Sequence, residues 1–462
     1  MFKSENLTLE LASELTALGS DQLSAQDIQQ VRKLVLDHVV VAMAGSVQPW
    51  GRMLTTWAER HGAAGKAPLI GSGRMAGAAT AGLVNGTSAH GYELDDTHDG
   101  SMSHPGVAVI TAALAVGSEL GSSGTQIITA IVAGYEAMTR IGMAANSLGV
   151  INRGHHPTCL FGPFGAAAAA SKLLGLDSDG MARAWGLALS MTGGVNQFSY
   201  EPKGTMVKRM HGGIPAQNGI TAAQLAGIGM AGPVHALEGP RGFFNVFGSD
   251  PDPSRLQRKP GDPFEIHNIS VKPYSCCRKF HSLIDALGEA SDDFSIDMDT
   301  IAKIKVRSPA TAIEGHQMVR PDSVMAAQYS MPYIVGATMA YGPARFDAFG
   351  DKHHRDQRIL HIVDRVEVSH EASFDPMVPG KFPHGVDIEM NNGTVKSSTI
   401  IDSRGTPEKP LSHDGVVDKA SALVAMVDAN IDLQRIISTV EELPQLNDIS
   451  TLTALLTVPS YG

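Results

Sequence analysis

The stretch Gly162-Pro163-Phe164-Gly165, followed by the five alanines of 166–170, constrains the fold more than any other part of the chain. A helix exposed to water has no need of so smooth a side, whereas two helices whose backbones approach closely do. The composition points the same way, with 49 glycines and only 5% aromatic residues, which favours close backbone packing and tight turns. Helical spacing then accounts for most of the chain as far as residue 262. Ser24-Ala25-Gln26-Asp27 is a capping signal, after which Ile28, Val31, Leu34, Val35 and Val39 recur at helical intervals until Gly45. Pro105 opens another expected helix, running through Val107, Ile110, Leu114 and Leu120 to a stop at Gly121. Residues 125–144 and 162–174 read the same way, and no strand alternation stands out in this part.

After Pro260-Gly261-Asp262-Pro263 the texture changes, and this turn-rich stretch is the expected domain boundary. Ile301, Lys303, Ile304, Lys305 and Val306 predict a strand, and Arg365, Val366, Glu367 and Val368 predict another. Val386, Ile388 and Met390 alternate before Asn391-Asn392-Gly393 and Val395, which is a hairpin signal. Helices are expected over 280–290, 323–341 and 355–363. Helical spacing returns from Asp418, with Ala422, Leu423, Met426 and Val427 on one face. A chain of 462 residues exceeds what one core usually organises, so two domains are expected.

The net charge of -11 argues against nucleic acid or an anionic membrane as a partner, so an anionic ligand would have to be attracted locally. The chain has no long uninterrupted apolar run, and Met1-Phe2-Lys3-Ser4-Glu5-Asn6 lacks the pattern of a secretory signal; a cytoplasmic protein is expected. Cys159, Cys276 and Cys277 form neither a disulfide framework nor the thiolate set of an iron–sulfur cluster.

Four separated segments could carry chemistry. The first, from Glu93 through Asp95, Asp96, Thr97, His98 and Asp99 to His104, crowds carboxylates and imidazoles just before the helix expected at Pro105. It reads as an acid–base loop or as a solvated acidic linker with capping residues. Asp95, Asp96, His98 and His104 are also possible metal ligands, although their spacing fits no established zinc or calcium pattern. In the second, Arg153-Gly154-His155-His156-Pro157-Thr158-Cys159, adjacent histidines cannot easily face one pocket, and His156 is favoured over His155. The third, Gly204-Thr205-Met206-Val207-Lys208-Arg209-Met210-His211-Gly212-Gly213, sets Lys208 as a point charge or proton carrier and Arg209 as a possible bidentate clamp; a solvated basic turn is the alternative. The fourth runs from Lys272-Pro273-Tyr274 to His281 and leads into a helix, where His281 could meet a carboxylate. Its cysteines read better as small buried side chains than as nucleophiles. Gly227-Ile228-Gly229-Met230-Ala231-Gly232 fits a dinucleotide-binding pattern, but it follows a helical stretch rather than a strand and reads as a helix end.

In this order, the four segments resemble the MmgE/PrpD family, which includes 2-methylcitrate dehydratases, cis-aconitate decarboxylases and an iminodisuccinate epimerase. The resemblance rests on Asp95-Asp96-Thr97 with His104-Pro105-Gly106, on 154–165, on 207–219 and on the segment ending at His281. It implies a mainly α fold, with a large all-helical domain (1–262 with 405–462) and a smaller α+β domain (263–404). It also implies a homodimer, a site in the cleft between domains, and catalysis with no metal or organic cofactor. By motif, His104, His156, Lys208, His281 and Tyr333 match the catalytic positions. Glu93, Asp96, Thr97, Arg209 and Lys272 are the expected substrate-binding residues. Glu93 stands where decarboxylase relatives carry an aspartate, and the loop from Thr97 to His104 is one residue longer than theirs and lacks their tryptophan. The expected activity is a lyase on a small polycarboxylate, with dehydration of a 2-methylcitrate- or citrate-like acid in front. An epimerase of an iminodisuccinate-like compound, a decarboxylase of cis-aconitate and a catalytically silent anion-binding relative are the alternatives.

Overall fold

The computed structural model describes residues 6–201, 205–259, 261–427 and 430–457. The first five residues, Gly204 of the third segment and Pro260 of the expected boundary lie outside them. The fold is mainly α and divides into two compact units, one of Met1–Asn196, Met206–Ile269 and Leu423–Gly462, the other of Gln197–Thr205 and Ser270–Ala422. The expected return of the chain to the first domain at 405 comes later, residues as far as Ala422 belonging to the second unit.

The first unit is built around the alanine-rich helix Pro157–Leu173. It starts five residues before the expected 162, because a proline at the first helical position needs no N–H partner and Pro163 is accommodated inside the helix. All five alanines of 166–170 are fully buried. The helix packs on Gly106–Leu120, Gly124–Ala144 and Val207–Gly227. Val207–Gly227 in turn lies against Ala78–Ala89 with no side chain to spare, since a Cβ on Gly213 would sit 2.0 Å from the Leu83 carbonyl oxygen. Overpacking of this kind typically costs about 1–3 kcal/mol, so only glycine suits the position.

Local signals set the ends of several helices. Ser24 caps Ala25–Ser46, its hydroxyl 3.2 Å from the Asp27 amide while Asp27 accepts from the Ser24 amide at 2.8 Å. Gly121 closes Gly106–Leu120 in the left-handed region at φ 65. The dinucleotide-like stretch is a helix end, with Val207–Gly227 stopping at its first glycine. One feature of this part escaped the sequence reading, a hairpin pairing Ala67–Leu69 with Arg74–Ala76, too short for alternation to register. Among the described residues, one helix, Gly124–Ala144, is long and apolar enough to cross a membrane, and 94% of its apolar window is buried in the protein.

The second unit carries a four-stranded sheet in the order Val366–His370, Ile301–Ser308, His384–Met390, Val395–Ile400. The first pair is parallel and the other two are antiparallel, with Val306 opposite Val386 and Ile304 opposite Ile388. Ile301, Ile304, Val306, Val386 and Ile388 join the core with the helices His281–Ala290 and Met331–Tyr341. Lys303–Glu367 at 2.7 Å and Arg307–Asp387 at 3.3 Å are partly exposed cross-strand pairs. The single helix expected over 323–341 is two, Val324–Gln328 and Met331–Tyr341. Pro332 has no N–H to bond the carbonyl four residues back and its ring crowds that carbonyl, so the first helix cannot run on through it, and the Ser330 hydroxyl caps the second helix, accepting from the Tyr333 amide at 3.1 Å.

Candidate active site

Lys208 and Arg209 occupy the first turn of Val207–Gly227, and each is 1% exposed, so the basic segment is not a solvated turn. Both are answered by Glu93, whose Oε1 accepts from Lys208 Nζ and, at 2.9 Å, from Arg209 Nη1. The Glu93 backbone lies at φ 57, where a side chain with a Cβ is strained. The Arg209 guanidinium also lies over the Trp50 ring, 5.2 Å from its centroid.

Beside this trio stand four imidazoles. Asp95 Oδ2 lies 2.7 Å from His90 Nδ1 and 2.8 Å from His104 Nδ1. His104 Nδ1 is also 3.1 Å from the Asp96 carbonyl oxygen. A carboxylate and a carbonyl only accept, so His104 donates from Nδ1 and, when neutral, carries its lone pair on Nε2. The backbone of His104 is fixed as well, its N–H donating to Thr158 Oγ1 at 3.1 Å. His156 precedes Pro157–Leu173, with its N–H on the Gly194 carbonyl at 3.1 Å, and its Nδ1 is 3.1 Å from Nδ1 of His211. The His156 ring lies 5.9 Å from that of His90, 6.4 Å from His104 and 5.0 Å from His211.

Burial is the dominant force on three of these rings. It pushes His90 down to about 3 against the opposing pull of Asp95, and His211 down to about 4 with help from the Lys208 charge. Burial, then His211, His90, Lys208 and His104, holds His156 well below the usual imidazole range. The result is that His90, His156 and His211 are held toward the neutral form beside two cations, an arrangement that gains protons once negative charge arrives.

Asp96 caps the helix Gly106–Leu120, Oδ1 accepting from the Gly106 amide at 2.8 Å while Oδ2 accepts from the Tyr135 hydroxyl. A Cβ on Gly106 would come within 2.8 Å of that carboxylate and 2.9 Å of the phenol, so glycine is required there. Burial raises the Asp96 carboxyl to about 7. The next residue, Thr97, has a buried hydroxyl with no hydrogen-bond partner among the described residues.

Seven of the expected site residues, Glu93, Asp96, Thr97, His104, His156, Lys208 and Arg209, thus fall in the first unit. Lys272, His281 and Tyr333 fall in the second. Lys272 is 1% exposed. His281 begins its helix with Nε2 3.3 Å from the Cys276 carbonyl oxygen, and burial, then Arg278 and Lys272, holds it well below the usual range. Tyr333 is a core residue whose hydroxyl donates to the Ala348 carbonyl at 3.0 Å. His155 turns its ring to Phe247, at 5.7 Å. Burial pushes the Cys159 thiol up to about 12, which leaves no thiolate to act as a nucleophile.

His90, His211 and Trp50 were not assigned from sequence. The signal for His211 was its place three residues after Lys208, which shares a face once the segment is read as helix. The metal set considered from sequence does not converge: Asp96 is spent on its cap, and His98 lies between Ser101 at 2.9 Å and Glu265 at 3.0 Å. His90, Asp95 and His104 can bring donor atoms within 4.8 Å of one another, but both Nδ1 atoms already bond Asp95 Oδ2.

Residues 9–256 match the MmgE/PrpD N-terminal domain and residues 274–445 the MmgE/PrpD C-terminal domain. The chain belongs to the MmgE/PrpD family. Members similar to it along nearly their whole length include a cis-aconitate decarboxylase-like protein of Aspergillus oryzae, 29% identical over 98% of this chain and 97% of that protein. The cis-aconitate decarboxylase of Aspergillus terreus is 27% identical over 98% of this MmgE/PrpD chain and 96% of its own. The cis-aconitate decarboxylase of Homo sapiens is 23% identical over 99% and 95% respectively.

Proposed function

We propose that this MmgE/PrpD protein is a lyase acting on a small polycarboxylate through side chains alone. The observation that carries the reading is the grouping of Lys208 and Arg209, both buried, with imidazoles held by Asp95. Cations in a site shielded from water stabilise carboxylates and the charge that develops beside them, and a held imidazole moves the proton. The names of the relatives make cis-aconitate the first substrate to test. In that reaction a carbon–carbon bond breaks, carbon dioxide leaves, the electron pair stays on the substrate carbon, and an acid of the site delivers a proton to it.

Dehydration of a citrate-like hydroxy acid is the second reading. It is favoured by the lone pair on His104 Nε2 beside a further imidazole pair, since elimination needs a base for the C–H proton and an acid for the departing hydroxide. Purified protein incubated in deuterated water with cis-aconitate, citrate, 2-methylcitrate and iminodisuccinate separates the outcomes. Release of carbon dioxide marks the first and loss of water the second. Deuterium entering an otherwise intact substrate marks an isomerase and sinks the lyase reading.

A further inference from the structure

We propose that His211 is a positioning residue that loads His156 as the acid of the site. Its role rests on the lyase reading above, but the pairing rests on geometry alone. Nδ1 of His211 and Nδ1 of His156 are 3.1 Å apart with both residues buried, a separation that requires a proton between them. One ring must therefore present a lone pair at Nδ1 and the other an N–H. The two roles are set by the surroundings. His104 has its lone pair on Nε2, the base side, and of the paired rings it is His156 that also lies near His104 and His90, at 6.4 and 5.9 Å between ring centres. His156 is thus the ring placed to complement the base, and it does so with its proton on Nε2 while Nδ1 accepts from His211.

The pairing also explains how a buried imidazole can be an acid without becoming an anion. When a polycarboxylate enters, the pair takes one extra proton from solvent, giving His156 Nε2–H, one shared proton on His211 Nδ1, and His211 Nε2–H. Transfer of the His156 Nε2 proton to substrate draws the shared proton across to His156 Nδ1. Both rings end neutral, His156 protonated at Nδ1 and His211 at Nε2, and the pair has lost one proton and one positive charge. The charged and titratable groups around the pair are Lys208, on the same helix as His211, and His90 and His104 from the neighbouring segments. All three oppose the extra proton, so the pair charges when an anion offsets them.

The test is nitrogen NMR of histidine-labelled protein together with kinetics of His211→Phe and His211→Asn, using His156→Gln to assign the ring. In the wild-type protein His156 should be the Nε2–H tautomer. His211→Phe should abolish that preference and lower kcat by about 10²-fold, the usual worth of a general acid, with KM changed far less. His211→Asn, whose amide donates but cannot relay, should keep the tautomer and yet lose the alkaline limb of the kcat profile, the limb on which the pair gives up its extra proton. An Nδ1–H tautomer for His156 in the wild type, or a His156 spectrum unmoved in both variants, overturns the proposal. The spectrum reads the pairing whether or not a substrate has been found, so a failed substrate panel counts against the lyase reading and not against the pair.

Discussion

Glu93 and Lys208 form an ion pair in which each side chain is 1% exposed. Breaking a buried pair from one side leaves the other charge uncompensated, which typically costs about 3–5 kcal/mol. Glu93→Gln should accordingly lower the unfolding free energy by about 3 kcal/mol, since it removes the carboxylate that Lys208 and Arg209 share. Lys208→Ala should also destabilise, though less, because Arg209 still answers Glu93. Denaturant titration of the two variants reads this directly, and two unchanged midpoints would show that the pair contributes nothing.

Asp95 decides which nitrogen His104 offers. Asp95→Asn replaces an obligate acceptor with an amide that can donate, and the ring is then free to reverse. The expected loss is about 10²–10⁴ in kcat with KM nearly kept, on whichever polycarboxylate the panel identifies. A variant that loses affinity and keeps its turnover would instead make Asp95 a binding residue.

Stability should fall on mild acidification. Burial holds His38, His211, His316 and His384 at about 4 and His90 at about 3, against 6.5 for a free imidazole. Such groups bind more protons unfolded than folded, so their contribution is complete above about 6.5 and is lost as pH falls toward the folded values. Asp96 and Glu136, both raised to about 7 by burial, act in the opposite sense and lose their contribution as pH rises through 7. Five histidines outweigh two carboxyls, and the melting temperature should drop between pH 6.5 and 5. A calorimetric series across that range settles it, a flat or rising profile being the contrary result.

Binding of a tricarboxylate should take up protons. Lys208 and Arg209 are matched in number by Glu93 and Asp95, so a further polyanion at these residues is best met by positive charge gained on the imidazoles. Titration calorimetry in buffers of different ionisation enthalpy should show net uptake of about one proton or more near pH 7. Equal heats across buffers would contradict it.

The helices were legible where their signals were local. Ser24 with Asp27, and Pro105 with Gly121, marked ends that the structure keeps within a residue or so. The expected 323–341 helix failed because its apolar spacing continues across Ser330-Met331-Pro332, where one proline outweighs periodicity. Lys208 and His104 stood out because each sits in a dense polar segment. His211 carried only its spacing from Lys208 as a signal, since its partner His156 comes from a distant segment. Glu93 was visible only as a carboxylate, because the αL backbone that aims it at two cations is a property of the fold.

The contact of Gly213 with the backbone at Leu83 has a consequence for how this site can evolve. His90 follows one of the two helices and Lys208 and His211 ride on the other, so the spacing of base and cation is set by main chain on main chain. Little reorganisation is left for a ligand to drive, which favours fast charge stabilisation. It also means that a descendant seeking a different acid must change side chains around a frame that does not yield.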